Sequence, residues 1–222
     1  MPHILGRGSE FGRVDSGRNQ QIQVEFVSAN PTGPLHVGHG RGAAFGASLA
    51  NVLAAAGYLV QREYYVNDAG RQMDILALST WLRYLELAGV NLTFPANAYQ
   101  GAYVTTMARA LRAQAGERYV RNAADVGAGE PDVATDAESR LDQLIANAKR
   151  LLAEDYAVIH SHALQTQLTD CRQDLAEFGV EFDAWYSEQS LYDTGKVARA
   201  VERLEAGGHL YVKDGATWFR ST

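Results

Sequence analysis

Residues 24–40 decide the fold and read Val-Glu-Phe-Val-Ser-Ala-Asn-Pro-Thr-Gly-Pro-Leu-His-Val-Gly-His-Gly. An apolar run with strand composition leads into a loop that contains Pro31, Gly33 and Pro34, and a helix is expected to begin near His36. At such a helix start, free backbone N–H groups and the positive end of the helix dipole face the same place. The stretch therefore predicts a strand–loop–helix unit that binds phosphate.

Two histidines stand at the start of the predicted helix. His36 and His39 are three residues apart, so both imidazoles project from one face, and Gly38 leaves room for a purine to approach the backbone. A bare His-x-x-His pair is as often ordinary polar surface, and a zinc site would need further ligands; the single Cys171 is distant in sequence. The whole string from Glu25 to His39 is far more restrictive than two histidines, and it favours the functional interpretation.

Composition sets outer limits on the class of protein. The chain has 222 residues, of which 46% are hydrophobic and 21% charged, and this suits one large globular domain or a domain with an insertion. No apolar run approaches the roughly eighteen residues of a membrane span, and no signal-peptide pattern opens the chain. One cysteine excludes an internal disulfide and suits a reducing cytoplasm. A net charge of −6 argues against bulk coating of nucleic acid, but a local basic stripe could still bind a nucleic acid.

Hydrophobic periodicity predicts a β-α-β unit followed by a mostly helical segment. In such a unit the crossover is right-handed and the ligand lies at the carboxyl ends of the parallel strands, where His36 and His39 fall. Strands are predicted at 21–28, 58–66 and 182–187, helices at 36–56, 70–88, 103–114, 141–162, 165–178 and 194–205, a loop at 122–136, and a hairpin over 210–220.

The motifs resemble those of a known enzyme family. His36-Val-Gly-His39 is similar to the His-Ile-Gly-His signature of class I aminoacyl-tRNA synthetases, and residues 24–34 are similar to the form found in arginyl-tRNA synthetases of bacterial type. Residues 65–72 and 214–222 resemble the same family. The resemblance runs from about Phe11 to the last residue.

The resemblance implies an α/β fold: the first half of a Rossmann-like nucleotide-binding fold with a mostly helical insertion that carries small β elements. We divide the chain into a vector-like or flexible lead-in (1–20), the first Rossmann half (21–90) and the family insertion (91–222). Residues 8–11, Gly-Ser-Glu-Phe, read like a cloning-site remnant. The second Rossmann half is expected to follow the last residue, with an exposed sheet edge where its strands would pair.

The resemblance also implies the chemistry. The parent enzyme would be a cytoplasmic monomer that activates L-arginine with ATP and Mg²⁺ to arginyl-adenylate and transfers it to tRNA(Arg). His36 and His39 would be catalytic, and ATP would be bound by His36, Gly38, His39 and Gly40. The arginine pocket would contain Glu25, Ser28, Ala29, Asn30 and His39. Asn67, Asp68 and Gln72 would line the rim of the site, and no residue is expected to ligate a resident metal.

Several positions have an equally simple structural interpretation. Glu25 suits an exposed strand residue, and the Asn67–Asp68 pair suits a turn with a helix cap. We interpret the remaining polar or family-like positions as packing, structural or helix-end residues: Tyr64, Tyr65, His160, His162, Asp183, Trp185, Ser187 and Glu188.

The sequence departs from the complete family in what it lacks. It has no Lys-Met-Ser-Lys loop, no N-terminal tRNA-binding domain and no helical anticodon domain, and it has Thr32 and Gly33 where some relatives carry a compensating lysine. The chain alone is therefore expected to be inactive. Two alternatives remain: another class I His-x-Gly-His nucleotidyltransferase, and a synthetase-like module retained for binding.

Overall fold

A three-stranded parallel sheet organises the structure, a computed structural model that describes residues 2–130 and 136–221. Its strands are β1 (Gln21–Glu25), β2 (Leu59–Val66) and β3 (Ala184–Ser187), in the order β1-β2-β3. The strands are parallel, and the register pairs Glu25 with Glu63 and Tyr65 with Tyr186, so the carboxyl ends of all three strands lie at the same end of the sheet. Both the α/β class and the parallel β-α-β unit are confirmed, and β1 forms one edge of this sheet.

Strand β3 lies in the part of the chain that we assigned to the insertion. The structure instead pairs it with β2, so the sheet is completed from residues far beyond the expected boundary at residue 90. A four-residue strand carries too little pattern to reveal whether it joins the main sheet or a separate hairpin. The sheet therefore draws on residues from both sides of the proposed division at residue 90, and the division itself stays a prediction.

Most of the remaining regular structure is helical. They are α1 (Pro2–Arg7), a 3-10 turn (Gly8–Glu10), α2 (Val37–Ala55), α3 (Arg71–Leu87), α4 (Ala102–Ala115), α5 (Ala123–Val126), α6 (Ala137–Leu152), α7 (Glu154–Glu177), α8 (Gln189–Asp193) and α9 (Lys196–Ala206). A hairpin of β4 (Leu210–Lys213) and β5 (Ala216–Phe219) follows. Its turn residues Asp214 and Gly215 have φ values of 53° and 76°, as the predicted two-residue turn requires.

The predicted helix boundaries are wrong mainly where the chain turns at a residue other than glycine or proline, because such a turn leaves no mark in the sequence. Ala153 adopts a left-handed φ of 49° and separates α6 from α7, whereas the sequence predicted continuity there and a break near residue 163. His160 and His162 consequently lie inside α7 rather than at a helix end. Residues 2–7 are helical although they show no periodicity, and the predicted loop 122–136 contains α5; residues 131–135 of it lie outside the described residues.

Helix α2 packs closely on the sheet. Its buried residues are the small Ala43, Gly46 and Ala50, and a Cβ on Gly46 would lie 2.2 Å from the ring of Phe26. Small residues therefore set the distance between α2 and the sheet, and with it the position of the helix start. Within the described residues, none of the helices combines the length and apolar character needed to cross a membrane.

Candidate active site at the start of helix α2

The start of α2 is capped by its two histidines. His36 is the N-cap residue, and its Nδ1 accepts a hydrogen bond from the backbone N–H of Gly38 at 3.1 Å. Nδ1 of His39 accepts from the backbone N–H of His36 at 3.2 Å. The two rings stack with centroids 3.8 Å apart. This reciprocal arrangement is a capping box built from imidazoles, and it satisfies two backbone donors at the helix start.

The capping bonds also fix which ring nitrogen carries the proton. A nitrogen that accepts a hydrogen bond is unprotonated, so each neutral ring carries its proton on Nε2. Partial burial lowers the pKa of His39, and the neighbouring His36 lowers it further, so the neutral form of His39 is favoured. Two Nε2–H donors are therefore held side by side at the positive end of α2.

The loop between β1 and α2, residues 26–36, is called the signature loop below. Val27 and Ser28 adopt positive φ values of 65° and 41°, which are unusual for residues other than glycine and costly for a β-branched side chain. Two hydrogen bonds hold this strained turn: Ser28 Oγ accepts from the Tyr65 N–H at 3.0 Å, and the Tyr64 hydroxyl donates to the carbonyl of Ala29 at 3.0 Å. Such strain at the end of a strand is typical of a functional site.

An amide network joins the signature loop to the rim. Asn30 donates from Nδ2 to Gln72 Oε1 at 2.7 Å, and its Oδ1 accepts from Asn67 Nδ2 at 2.7 Å. The predicted arginine-pocket residue Asn30 and the predicted rim residues Asn67 and Gln72 are thus brought together. Because both sides of the Asn30 amide are engaged, its orientation is fixed, and Oδ1 keeps one lone pair for a ligand.

A sequence model for the catalytic domain of class I tRNA synthetases (R) matches residues 1–111, half of the chain. The chain belongs to this family. The match begins at residue 1, so the vector origin expected for the lead-in finds no support in it.

The similar proteins include arginine–tRNA ligases, whose sequences align with nearly the whole of this chain. It is 64% identical to the enzyme named so in Nitrosospira multiformis over 220 residues and 60% identical to that of Dechloromonas aromatica over 229 residues, with 99% of this chain covered in both cases. The chain spans 38% and 39% of the length of these two relatives.

Solved structures show the same fold. A Campylobacter jejuni protein assigned as an arginyl-tRNA synthetase superposes with a TM-score of 0.74 at 28% identity, covering 98% of this chain and 41% of that one. The Thermus thermophilus arginyl-tRNA synthetase superposes with a TM-score of 0.52 at 22% identity, over 96% of this chain and 31% of the other. The class I synthetase fold is therefore shared along nearly the whole chain.

Glu25 lies at the last position of β1 in this synthetase site. Its side chain is exposed and forms no ion pair or hydrogen bond with other described residues. Its neighbour in the sheet is Glu63, so no cation on the adjacent strand neutralises it. Glu25 therefore ends β1 with an exposed carboxylate that no described residue engages, and its place in the arginine pocket stays a prediction. Gly40 also borders open space, because nothing lies within 4 Å of a Cβ built there.

Two predicted site residues face elsewhere. Ala29 is 7% exposed, and its side chain packs in the sheet core rather than toward an open pocket. Its carbonyl oxygen accepts a hydrogen bond from the Tyr64 hydroxyl. Asp68 is also buried, and its carboxylate accepts from the Ser187 hydroxyl at 2.6 Å and the Gln189 N–H at 2.8 Å. Asp68 therefore joins β2 to the β3–α8 turn, which corrects its assignment to the open rim.

Sequence analysis did not single out Tyr103, which donates a hydrogen bond from its hydroxyl to the carbonyl of Thr32 at 2.7 Å. The contact spans 71 residues of sequence, and Tyr103 carries no local signal beyond its place in a predicted helix. Tyr64, interpreted from sequence as packing, does pack on Phe182 and Trp185, yet it also holds the signature loop.

A cavity of about 540 Å³ opens beside His36, between the first turns of α2 and the end of α7. Its walls include Leu35, Leu175 and Phe178, and Arg41 and Asp174 are the charged side chains that line it. The apolar walls adjoin His36, so the candidate site combines a helix start that carries two imidazoles with an apolar recess.

Proposed function

We propose that this chain forms the part of an arginyl-tRNA synthetase that binds ATP and L-arginine, in a protein that makes arginyl-adenylate and transfers the arginine to tRNA(Arg). The observation that carries the proposal is the imidazole capping box. It supports phosphate binding because the Nδ1 atoms accept from backbone N–H groups, and no described residue accepts a hydrogen bond from the two Nε2–H groups at the start of α2. The acidic Glu25 is the last residue of β1, immediately before the signature loop, and the ordered Asn30 lies within that loop.

In the proposed reaction, a carboxylate oxygen of arginine forms a bond to the α-phosphorus of ATP while the bond from that phosphorus to the oxygen bridging it to the β-phosphate breaks. Pyrophosphate leaves, and no covalent enzyme intermediate is required. The protein contributes positioning and charge stabilisation. His36 and His39 donate their Nε2–H groups to phosphate oxygens as negative charge moves toward the leaving pyrophosphate.

Selection of arginine is proposed to rest on the signature loop. The planar guanidinium matches a carboxylate in a paired hydrogen-bond geometry, and Glu25 is the exposed carboxylate at this rim. The α-ammonium group needs acceptors, and Asn30 Oδ1 and Ser28 Oγ each retain acceptor capacity after their contacts within the protein. Ala29 contributes backbone only.

Magnesium is proposed to arrive with the nucleotide. Among residues 2–130 and 136–221, no group of three His, Cys, Asp or Glu side chains is placed to hold a metal ion. Mg²⁺ usually binds through substrate phosphates and water with one or two carboxylates, so a dedicated protein cage is unnecessary. We further propose a monomeric, cytoplasmic parent protein, which the single, buried Cys171 suits.

The experiment is ATP–pyrophosphate exchange by the full-length protein in the presence of tRNA, with arginine, lysine or glutamine as the amino acid. We expect exchange with arginine alone. Preference for another amino acid would favour the second reading, a different class I nucleotidyltransferase. His39→Ala removes one preorganised donor and is expected to lower the rate about 100- to 1,000-fold. A loss smaller than about threefold would contradict the proposed role of His39.

A further inference from the structure

The middle of the signature loop cannot hold its own backbone in place. Pro31 and Pro34 lack an N–H group, so they donate no hydrogen bonds. Within the described part of the chain, the backbone of residues 31–35 forms one backbone–backbone hydrogen bond, from the Thr32 N–H to the carbonyl of Asn30 at 2.8 Å. Four residues after Thr32, the chain must place His36 as the cap of α2.

Among the described residues, one hydrogen bond from outside the loop reaches this stretch, which Leu35 also ties to the sheet core by apolar packing. The Tyr103 hydroxyl donates to the Thr32 carbonyl at 2.7 Å, and it lies 3.4 Å from a Cβ built on Gly33. No other hydrogen bond between residues that the structure describes joins residues 31–35 to a distant part of the chain. Burial raises the pKa of Tyr103 to about 12, so the hydroxyl keeps its proton throughout the physiological range.

Tyr103 is itself held on a rigid base. It is in the first turn of α4, next to Val104, which is fully buried with Met107 against α3 and α7. Gly101 precedes it, and a Cβ at that position would lie 2.4 Å from the tyrosine ring. The ring is thus confined by its own helix start, and its hydroxyl has a fixed position relative to the helical core.

We propose that Tyr103 is a positioning residue: through the Thr32 carbonyl it fixes the signature loop, and so the distance between the imidazole pair on α2 and the Glu25–Asn30 end of the loop. The effect of Tyr103 on the reaction rate rests on the proposed function, whereas its effect on the position of the loop does not. A displacement of about 1 Å by a residue remote from the chemistry can lower a rate about 100-fold. Tyr103 therefore acts on the reaction without touching a substrate.

The test compares Tyr103→Phe with Tyr99→Phe in the full-length protein. Tyr99 is a nearby, half-buried tyrosine whose hydroxyl forms no hydrogen bond with other described residues, so its variant controls for loss of a hydroxyl. In hydrogen–deuterium exchange, amides of residues 35–40 should exchange about threefold to tenfold faster in Tyr103→Phe, as loss of one hydrogen bond predicts, and remain unchanged in Tyr99→Phe. Equal exchange in both variants would overturn the proposal.

Kinetics provide the second readout. Tyr103→Phe should lower kcat for arginine activation about 10-fold or more while KM for tRNA stays within about twofold, because the loss concerns alignment rather than partner binding. Equal kcat values for the two variants would also overturn the proposal. If the wild-type protein shows no arginine-dependent exchange, the proposed function fails, and amide exchange still decides the role of Tyr103. Should Tyr103→Phe not fold, Gly101→Ala displaces the same ring and should produce the same faster amide exchange.

Discussion

Gly38→Ala in the full-length protein separates the chemistry of the imidazole pair from the stability of its helix. A Cβ at position 38 would lie 3.0 Å from Nδ1 of His36 and 2.8 Å from its Cε1, and the second distance is shorter than real Cβ contacts show. The His36 ring must therefore rotate away, which breaks its bond to the Gly38 N–H and removes its Nε2–H from the phosphate site. His39 would lose its stacking partner at the same time.

The stability terms of this substitution oppose each other. Replacing glycine by alanine inside a helix stabilises by roughly 0.5–1 kcal/mol, and losing an N-cap side chain costs about 1 kcal/mol. We expect the free energy of unfolding to change by less than about 1 kcal/mol. The rate of arginine-dependent exchange should nevertheless fall about 100-fold, the typical cost of one preorganised donor.

Gly42→Ala is the matched control. It lies one turn further along α2, and nothing lies within 4 Å of a Cβ built there, so it should raise the free energy of unfolding by up to about 1 kcal/mol and leave the rate unchanged. Urea unfolding and pyrophosphate exchange would be measured for both variants. If Gly38→Ala retains activity within about threefold of Gly42→Ala, the imidazole at position 36 is not the phosphate donor we propose.

Three further outcomes follow from the site. Glu25→Gln should raise KM for arginine about 10- to 100-fold, because it removes a charge-assisted bond to the guanidinium, with KM for ATP unchanged; equal effects on both constants would contradict a role in arginine selection. The pKa of His39 in the folded protein lies below its ordinary value of 6.5, because the fold favours the neutral ring. The contribution of His39 to stability is therefore complete above pH 6.5 and is lost as the pH falls from about 6.5 through the lower folded-state pKa. Urea midpoints at several pH values should therefore decline less in His39→Asn than in wild type, a comparison that leaves His160, whose pKa burial also lowers, unchanged. Asp68→Ala should lower the free energy of unfolding by about 1–3 kcal/mol, since it removes the shared acceptor of two part-buried hydrogen bonds, and a change below about 0.5 kcal/mol would refute its structural role.

Local patterns predicted the parts of the structure that depend on neighbouring residues. The start of α2 near His36 follows from the change from strand to helix periodicity after a proline–glycine loop, and the Asp214–Gly215 turn follows from the residues that tolerate positive φ. The helix over 103–114 was likewise correct to within one residue. In each case the deciding interaction lies within a few residues of sequence.

Contacts between distant segments were beyond sequence reasoning. Ala29 was predicted in the arginine pocket from its place in the signature string, but its side chain packs in the sheet core, next to the positive-φ residues Val27 and Ser28. Asp68 looked like a rim residue because it follows β2, but its partners Ser187 and Gln189 are about 120 residues away. No periodicity encodes such pairings, since they depend on β3 packing beside β2.

The capping box explains why one short motif can carry both local folding and proposed chemistry. A helix start that binds phosphate must keep several backbone N–H groups free, yet unpaired donors weaken the helix. Imidazole resolves this conflict, since one nitrogen accepts from the backbone while the other, about 2 Å across the ring, donates outward. A serine or aspartate cap would satisfy the helix but would present no N–H donor to phosphate. The spacing of His36 and His39 is therefore set by helix capping and by anion binding together, so a substitution that serves one requirement need not serve the other.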